Sequence, residues 1–399
     1  MVSVQLASTK HSISFLLFGT AMILATGLLI YIVGFSRSHP AYEKEHDALE
    51  DVFGPVQYIN ILYRHGARTP DSYLPTDPYN DIKFWPEGFG QLTQEGILQH
   101  YNLGGWLAKR YSHLLPNDWK QINKAIRVVS TDWDRTLASA SAEMEGMFPI
   151  QSNSDEWKGL RSYPVPIHCL TDESDALLQV TKSCPKYAQL IKTMIKSKQY
   201  LDLFKNNEKL VEYVKLHSGK ESLTLSDFQD MYSTFSIEKS RNYILPKWAD
   251  KIFPEKIMNL VAASFEAETW TVEMKRLRGG PMVKQFLGNF KTKLAGSSLN
   301  ISMYSAHDTT ISAFLNTIDA FDSVPPPFAS MVIIELRQLP KNDPFVTVWY
   351  KTNSSDPRLL SLPSCGDACR LSQLESLLKP VIPENWDEEC KIDPINQPN

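Results

Sequence analysis

Three short segments, far apart in this 399-residue sequence, carry reactive or charged side chains: two combine arginine with histidine or aspartate, and the third places histidine next to aspartate. Arginine holds phosphate oxygens in pairs through a planar guanidinium group that stays charged at any working pH. A histidine ring nitrogen is a nucleophile, and an aspartic acid protonates a leaving group. The residues that offer these groups are Arg64, His65, Arg68, Arg135, His307 and Asp308.

Together these side chains suit the transfer of a phosphoryl group. Such a transfer requires mainly that phosphate is positioned and that its charge is neutralised. Neighbouring cations would lower the pKa of a histidine and keep its ring nucleophilic in mild acid. We expect one histidine to attack phosphorus, Asp308 to protonate the leaving alkoxide and water to hydrolyse the phosphohistidine.

Each segment directly follows an apolar stretch that is typical of a buried β-strand. The stretches are Val56–Tyr63, Ala125–Val129 and Ile301–Tyr304, and each leads through polar residues into a sequence with helical periodicity. In α/β sheets, ligands bind beyond the carboxyl ends of the strands. We therefore expect the three segments to meet in one site, where helix N-termini point backbone N–H groups at a bound anion.

The predicted fold is an α/β core with a central mixed sheet, flanked by helices and carrying an inserted helical cap. Residues 52–149 and 291–399 would form the core, with further strands at Met331–Arg337 and Phe345–Lys351. Residues 150–290 are rich in Lys, Glu, Leu and Tyr and have helical periodicity, which predicts the cap.

Other interpretations of these residues are open at this point. Asp308 could cap the helix that follows it, and Arg135 could pair with Asp132 or with Glu143. Asp132 and Asp134 also match a loop of magnesium-dependent phosphatases with an aspartyl nucleophile. A small cytosolic mutase-like transferase would share the Arg-His-Gly sequence, and a phosphate-binding surface protein would share the pocket without catalysis.

Composition and charge limit the class of protein. The chain is 43% hydrophobic and 22% charged, which is typical of a folded globular protein and excludes a fully disordered one. Its 41 basic and 45 acidic residues give a net charge of −4. Because nucleic-acid binders are usually basic, no nucleic-acid partner is expected.

The N-terminus predicts entry into the secretory pathway. Residues 13–35 contain no charged residue and are long enough to span a bilayer, which needs about twenty residues. We interpret residues 1–36 as an uncleaved signal anchor or a cleaved signal peptide, and residues 37–51 as a linker. An anchor would give a single-pass membrane protein with an extracytosolic C-terminal domain, whereas cleavage would give a secreted or lysosomal protein.

The five cysteines lie in the part of the chain that would be exported, where disulfides form. Cys365 and Cys369 flank a Gly-Asp-Ala turn, so a local bridge between them is geometrically easy. The sequence leaves open how the others pair, namely Cys169, Cys184 and Cys390. In a secretory protein, two sequons predict glycosylation, at Asn300 and Asn353.

The segments resemble the signatures of the histidine acid phosphatases, branch 2 of the histidine phosphatase superfamily. Residues 64–70 are similar to the R-H-G-x-R-x-P signature, residues 130–136 to the S-T-D-x-D-R-T block and residues 305–310 to the later H-D motif. Residues 92–96, Leu-Thr-Gln-Glu-Gly, also fit. The likeness runs from about residue 52 to 390 and is strongest to the prostatic and lysosomal members.

This resemblance implies an acid phosphatase that hydrolyses phosphate monoesters through a phosphohistidine and uses no metal or other cofactor. It implies a phosphoglycerate-mutase-like core with a helical cap. It assigns His65 as the nucleophile and Asp308 as the proton donor. The remaining residues would bind phosphate, namely Arg64, Arg68, Arg135 and His307.

The resemblance also bears on the cysteines and on partners. It implies a long-range bridge between Cys184 and Cys390 and a short one between Cys365 and Cys369, which leaves Cys169 unpaired. It makes a homodimer plausible. Attachment to a membrane would come from the N-terminal segment.

Overall fold

The computed structural model of the chain describes residues 48–150, 159–171, 174–339 and 343–392. The predicted signal anchor or signal peptide, residues 1–36, and most of the predicted linker lie outside these ranges. The last residues of that linker, 48–51, are helical. Within the described ranges, no helix combines the length and the apolar character needed to cross a membrane. Attachment through the N-terminal segment stays a prediction.

A mixed sheet forms the centre of the described chain. Its strands β1 to β8 are, in chain order, Val56–Arg64, Ile126–Thr131, Ile167–Leu170, Ile301–Ala306, Met331–Arg337, Phe345–Lys351, Arg358–Leu359 and Cys369–Arg370. The order across the sheet is β3-β2-β4-β1-β5-β6-β7, and β8 pairs with β6. The first four strands are parallel to one another, and the others pair antiparallel.

This architecture confirms the predicted α/β fold with a mixed sheet flanked by helices. The five strands expected from the sequence are present, with ends within two residues of the prediction. These strands could be predicted from the sequence because a strand covered by helices on both faces is a continuous run of apolar residues. The short edge strand β3 was not predicted, because four residues that include a histidine and a cysteine carry too little pattern.

Helices account for most of the remaining described chain. The α-helices α1 to α15 are, in chain order, Gln94–Arg110, Ile122–Ala125, Asp134–Met147, Val180–Ser183, Pro185–Met194, Lys198–Asn206, Glu208–Ser218, Leu225–Ser240, Lys247–Asp250, Met258–Ala267, Val272–Arg278, Gly280–Leu294, Asp308–Thr317, Leu371–Leu378 and Trp386–Glu389.

The two faces of the sheet are covered by different helices. Alternate residues of β1 point to opposite faces, because the side-chain period of a strand is two. Tyr58 and Leu62 belong to the core shared with α12, α13 and α14, which includes Phe286 and Phe314. On the other face the Tyr63 ring lies 5.3 Å from the ring of His100 on α1. The sheet is therefore a rigid layer from which the loops at its ends project.

A second hydrophobic core lies within the inserted helices. Its buried residues run from Tyr200 to Ala267, and Leu74 from the loop after β1 joins them. The ends of the predicted 150–290 cap belong to the main core instead. The reason is that β3 completes the sheet beside β2 and α12 buries its apolar side against it.

Both predicted disulfides are present. Cys184 and Cys390 are bonded and lie in a small buried cluster, and Cys365 is bonded to Cys369. Cys169 is free and exposed. The long-range bridge joins the start of α5 to the end of α15 and so ties the C-terminal segment to the inserted helices.

The two sequons differ in accessibility. Asn353 lies in an exposed turn after β6. The side-chain amide of Asn300 donates to the Leu114 carbonyl oxygen at 2.7 Å, and the Ser302 of its sequon is buried. Glycosylation stays a prediction at both, and Asn353 is the better acceptor because its amide is in solvent.

A buried carboxyl pair joins the inserted helices to the loop after β1. The carboxyl groups of Asp77 and Glu238 lie within hydrogen-bonding reach of each other. Neither oxygen of Glu238 has another polar partner in the described chain. Burial, followed by the charge of Asp77, holds the pKa of Glu238 well above its usual range. Two carboxylates cannot both ionise at this distance without a cost, so the pair keeps a proton.

We predict that this pair makes the fold more stable in acid. A carboxyl group whose pKa is raised by folding contributes stability below its unfolded pKa and loses it as the pH rises. The unfolding free energy of the wild type should fall between pH 5 and pH 8. In Glu238→Gln that fall should be smaller by about 1 kcal/mol or more, since one pKa unit corresponds to about 1.4 kcal/mol.

Denaturant unfolding at both pH values measures this difference. Glu221→Gln, which changes an exposed glutamate near the same helix, is the control and should keep the wild-type pH dependence. Parallel pH profiles for the wild type and Glu238→Gln would contradict the prediction.

Candidate active site

The carboxyl ends of three strands lie side by side, because β4 pairs with β1 on one side and with β2 on the other. Arg64 ends β1, Arg135 lies in the first turn of α3 and Asp308 begins α13. A cavity of about 380 Å³ opens at this edge of the sheet. It is lined by all six residues singled out from the sequence, namely Arg64, His65, Arg68, Arg135, His307 and Asp308.

His65 is buried, and one hydrogen bond defines its tautomer. Its Nδ1 lies 2.9 Å from the Gly66 carbonyl oxygen, which can only accept, so Nδ1 carries the proton. Nε2 therefore keeps its lone pair. The backbone N–H of His65 donates to the Ala306 carbonyl oxygen at 3.0 Å and fixes the residue against β4. The site thus holds one unprotonated ring nitrogen in a defined position.

The surroundings keep both histidine rings of the cavity neutral. Burial lowers the pKa of His65 well below its usual 6.5, and the charge of Arg64 lowers it further. Burial and the charge of Arg135 lower the pKa of His307 to about 3. A neutral imidazole retains the lone pair that a nucleophile needs, even in mild acid.

Arg64 and Asp308 form an ion pair at the cavity, with 2.7 Å between Nη2 and Oδ2. Nη1 of Arg64 donates to the Pro326 carbonyl oxygen at 2.6 Å, and the guanidinium lies 4.1 Å from the centre of the Phe328 ring. The Asp308 carboxylate also accepts from the Thr309 N–H at 2.8 Å. Burial raises the pKa of Asp308, but the nearby arginines outweigh it and hold the pKa below its usual 3.8. Asp308 is therefore ionised while Arg64 is its counterion.

The other two arginines are joined by Asp71, a residue that the sequence analysis missed. Its Oδ1 lies 3.0 Å from Nη1 of Arg68, and its Oδ2 lies 3.7 Å from Nη2 of Arg135. The only signal in the sequence was an acid three positions after Arg68. Arg135 pairs with neither Asp132 nor Glu143 in the described structure.

The arginines keep donors that the described protein does not use. The Nε–H groups of Arg64, Arg68 and Arg135 are buried, and no described residue accepts from them. Buried donors are satisfied in nearly all proteins, so three unsatisfied arginine donors close to one cavity favour an anion that would bind the same guanidinium groups. The three guanidinium groups are thus arranged to take more acceptors than the chain supplies.

His307 is held by the strand beside it. Its Nε2 lies 3.1 Å from Oγ1 of Thr131, which contacts Oγ1 of Thr136 at 2.8 Å. Asp132 and Asp134 are exposed and do not line the cavity. The arrangement therefore brings the histidines and arginines together and leaves out the two aspartates of the magnesium-dependent alternative.

A buried histidine and glutamate support the end of β1, and the sequence analysis missed this pair, because it considered Glu143 only as a partner of Arg135. Nε2 of His100 lies 3.1 Å from the Arg64 carbonyl oxygen and must donate to it. Nδ1 lies 2.8 Å from Oε2 of Glu143. Neither His100 nor Glu143 is exposed to solvent. No spacing in the sequence links positions on α1 and α3, so only their packing reveals the pair.

Two glycines allow the loop after β1 to lie against the start of α1. A Cβ atom on Gly66 would come within 2.6 Å of the Gly96 Cα, which real contacts do not allow. Thr93 accepts from the Gly96 N–H at 3.2 Å and donates to the Ala67 carbonyl oxygen at 3.0 Å. The Leu-Thr-Gln-Glu-Gly stretch therefore holds the loop that carries His65 and Arg68.

Inserted helices and one proline-rich turn close the rest of the cavity. Arg68 donates through Nη2 to Oγ of Ser233 on α8, at 3.3 Å. The lining residues that the sequence analysis did not name include Gln179, Gln229, Asp230, Tyr232, Ser233, Ser236, Phe265, Thr309 and the stretch from Pro325 to Phe328. Apart from Thr309, which belongs to the H-D motif, they come from segments without a recognisable motif, so only the tertiary structure assigns them to the site.

Comparison with known proteins gives the family. A model of the histidine phosphatase superfamily (branch 2) matches residues 56–351. The human lysosomal acid phosphatase is 33% identical over 343 residues, which is 84% of this chain and 80% of that protein. The prostatic acid phosphatase of Rattus norvegicus is 32% identical over 381 residues, or 94% and 96% of the two chains. The chain therefore belongs to the histidine phosphatase superfamily, branch 2, as the motifs predicted.

Solved structures show the same fold at lower identity. The phytase from Citrobacter braakii matches with a TM-score of 0.62 and 17% identity, covering 85% of this chain and all of that one. The Hafnia alvei phytase in complex with tartrate matches with a TM-score of 0.63 and 16% identity, covering 85% and 98%. At this identity the likeness supports the fold.

We predict that His100→Phe weakens the site and the fold together. The substitution keeps the ring volume but leaves the Glu143 carboxyl buried without its partner, which typically costs about 2–4 kcal/mol. The Arg64 carbonyl also loses its donor, so affinity for inorganic phosphate should fall about tenfold. Thermal unfolding and calorimetric titration measure the two effects.

His113→Phe is the matched control for that variant. Nε2 of His113 also donates to a carbonyl of β1, that of Val56 at 3.1 Å, but at the opposite end of the strand. The substitution His113→Phe should leave the affinity for phosphate unchanged and lower the free energy of unfolding by less than about 1 kcal/mol. Equal effects of the two substitutions on phosphate affinity would rule out a positioning role for His100.

Proposed function

We propose that this protein is an acid phosphatase that hydrolyses phosphate monoesters through a phosphohistidine intermediate. The observation that carries the proposal is the neutral His65 ring, whose unprotonated nitrogen shares a cavity with three arginines. The relatives that are named lysosomal and prostatic acid phosphatases support the same activity.

In the first step, Nε2 of His65 attacks phosphorus and the bond from phosphorus to the ester oxygen breaks. The electron pair of that bond goes to the leaving oxygen, which takes the proton of Asp308. Three guanidinium groups, with one N–H of the neutral His307 ring, stabilise the nonbridging oxygens as their charge grows.

In the second step, water attacks the phosphorus of the phosphohistidine and the bond from phosphorus to nitrogen breaks. The Asp308 carboxylate takes a proton from that water, and the His65 ring regains its lone pair. Inorganic phosphate is the product. The cycle needs no group besides the side chains of the cavity and water.

Asp308 must carry a proton when the ester arrives, although Arg64 holds its pKa low. Bound phosphate reverses this effect in two ways. Its negative charge lies beside the carboxylate and opposes ionisation, and its oxygens draw Arg64 away from Asp308. We therefore infer that substrate binding itself protonates Asp308 in mild acid.

We predict that Asp308→Asn selectively slows esters with poor leaving groups. Asparagine keeps a side-chain oxygen for the Thr309 N–H but carries no proton for the leaving oxygen. Loss of a general acid typically lowers rates about 10²–10⁴-fold. That loss should appear with alkyl phosphates and be much smaller with p-nitrophenyl phosphate, whose leaving group needs no proton. A loss of the same size for all leaving groups would contradict the assignment of Asp308.

We also predict that phosphate becomes covalently bound to His65. Brief reaction of the wild type with ³²P-labelled ester, followed by an alkaline quench, should label the chain at this residue. His65→Asn should carry no label and lose turnover, while His113→Phe should label like the wild type. Label on another residue would overturn the choice of nucleophile. Phosphate binding without turnover in the folded wild type would identify a non-catalytic binder.

We further propose that the protein enters the secretory pathway. Two disulfides and the names of the lysosomal and prostatic relatives support this location. The apolar residues 13–35 would direct entry and, if retained, would anchor the protein with its catalytic domain outside the cytosol. A homodimer is a further prediction that rests on the family alone.

A further inference from the structure

The cavity contains a carboxylate that the proposed reaction does not use. Its charged lining residues are three arginines and three aspartates, Asp71, Asp230 and Asp308. Asp71 and Asp308 each contact an arginine. Asp230 lies half-buried on α8 and has no ion pair or hydrogen bond with a described residue.

The charges around Asp230 leave it without a counterion. It faces Asp71 and Arg68 from the loop after β1, Asp227 from the first turn of its own helix and Lys220 from the loop before that helix. Arg68 is bound to Asp71, and Lys220 is bound to Asp227. A partly buried carboxylate is costly unless a cation compensates it. Among the described residues that line the cavity, none forms an ion pair with Asp230, although Arg68 is near enough to act on its charge.

The position of Asp230 makes it a contact for the leaving group. The arginines take the phosphate, so the rest of an ester must extend along the other lining residues. On this wall Asp230 is accompanied by neutral side chains, among them Gln229 and Ser236, and by the rings of Tyr232 and Phe265. A cavity that combines aromatic rings with a carboxylate suits an organic cation, which both attract.

We propose that Asp230 is a specificity-determining residue that favours phosphate monoesters whose leaving group carries an ammonium group. The inference rests on the proposed phosphatase activity and names its substrate class. Phosphorus and the bridging oxygen would occupy the arginine end, and the ammonium group would lie beside the Asp230 carboxylate.

The preference should depend on pH in a defined direction. Burial raises the pKa of Asp230 to about 6, and the like charges of Asp71 and Asp227 contribute. The carboxylate is therefore largely protonated near pH 5 and charged near pH 7. Selectivity for a cationic leaving group should rise over this range, even as overall turnover changes.

Two substrates of nearly equal shape test the proposal. Phosphocholine carries a trimethylammonium group, and 3,3-dimethylbutyl phosphate carries the neutral tert-butyl group in its place. The ratio of their kcat/KM values should be about two- to fourfold higher at pH 7 than at pH 5 in the wild type, as expected for one partly exposed ion pair. In Asp230→Asn the ratio at pH 7 should fall to the wild-type value at pH 5.

Asp250→Asn is the matched control, since it removes one negative charge from an exposed residue of the same group of helices. It should keep the wild-type ratio at both pH values. A wild-type ratio that does not change with pH, or an unchanged ratio in Asp230→Asn, would overturn the inference while leaving the phosphatase activity intact. Failure of the wild type to hydrolyse either ester would instead overturn the proposed function, and the inference with it. If Asp230→Asn does not fold, the wild-type pH dependence alone decides.

Discussion

The arrangement of this protein depends on holding three guanidinium groups around one cavity. Like charges at such distances repel, and burial removes the water that would screen them. The chain offsets this with carboxylates, Asp308 beside Arg64 and Asp71 between Arg68 and Arg135. Burial, reinforced by the charges of Arg64 and the other arginines, lowers the pKa of His65, so the same cluster that must be stabilised in the fold also keeps the His65 ring neutral.

The sheet supplies the rigidity that this cluster needs. Strand β4 lies between β1 and β2, so the segments that follow these strands meet without long loops. His100 and Glu143 hold the end of β1 from the opposite side, and the close approach of Gly66 to Gly96 fixes the loop that follows. The reactive side chains thus extend from backbone that packing and hydrogen bonds already define.

The inserted helices add functions that the sheet does not provide. They close the cavity through Ser233 and bring Asp230 to the leaving-group side. They also carry Glu238, which shares a proton with Asp77 of the loop after β1. This contact should therefore stabilise the fold more at low pH than at high pH. The side chains that react with phosphate therefore belong to the core. Asp230, which we expect to select substrates, and Glu238, which we expect to make stability depend on pH, belong to the inserted helices.

Sequence patterns were enough to predict five of the eight described strands, the order of the three segments and the six side chains around the cavity. Fully buried strands are continuous apolar runs, and motif residues lie close together in the chain, so both can be read locally. Tertiary structure alone decided the roles of Asp71, His100, Glu143 and Asp230, and the extent of the insertion. These depend on contacts between helices and loops distant in sequence, and a single sequence has no periodicity that records such contacts.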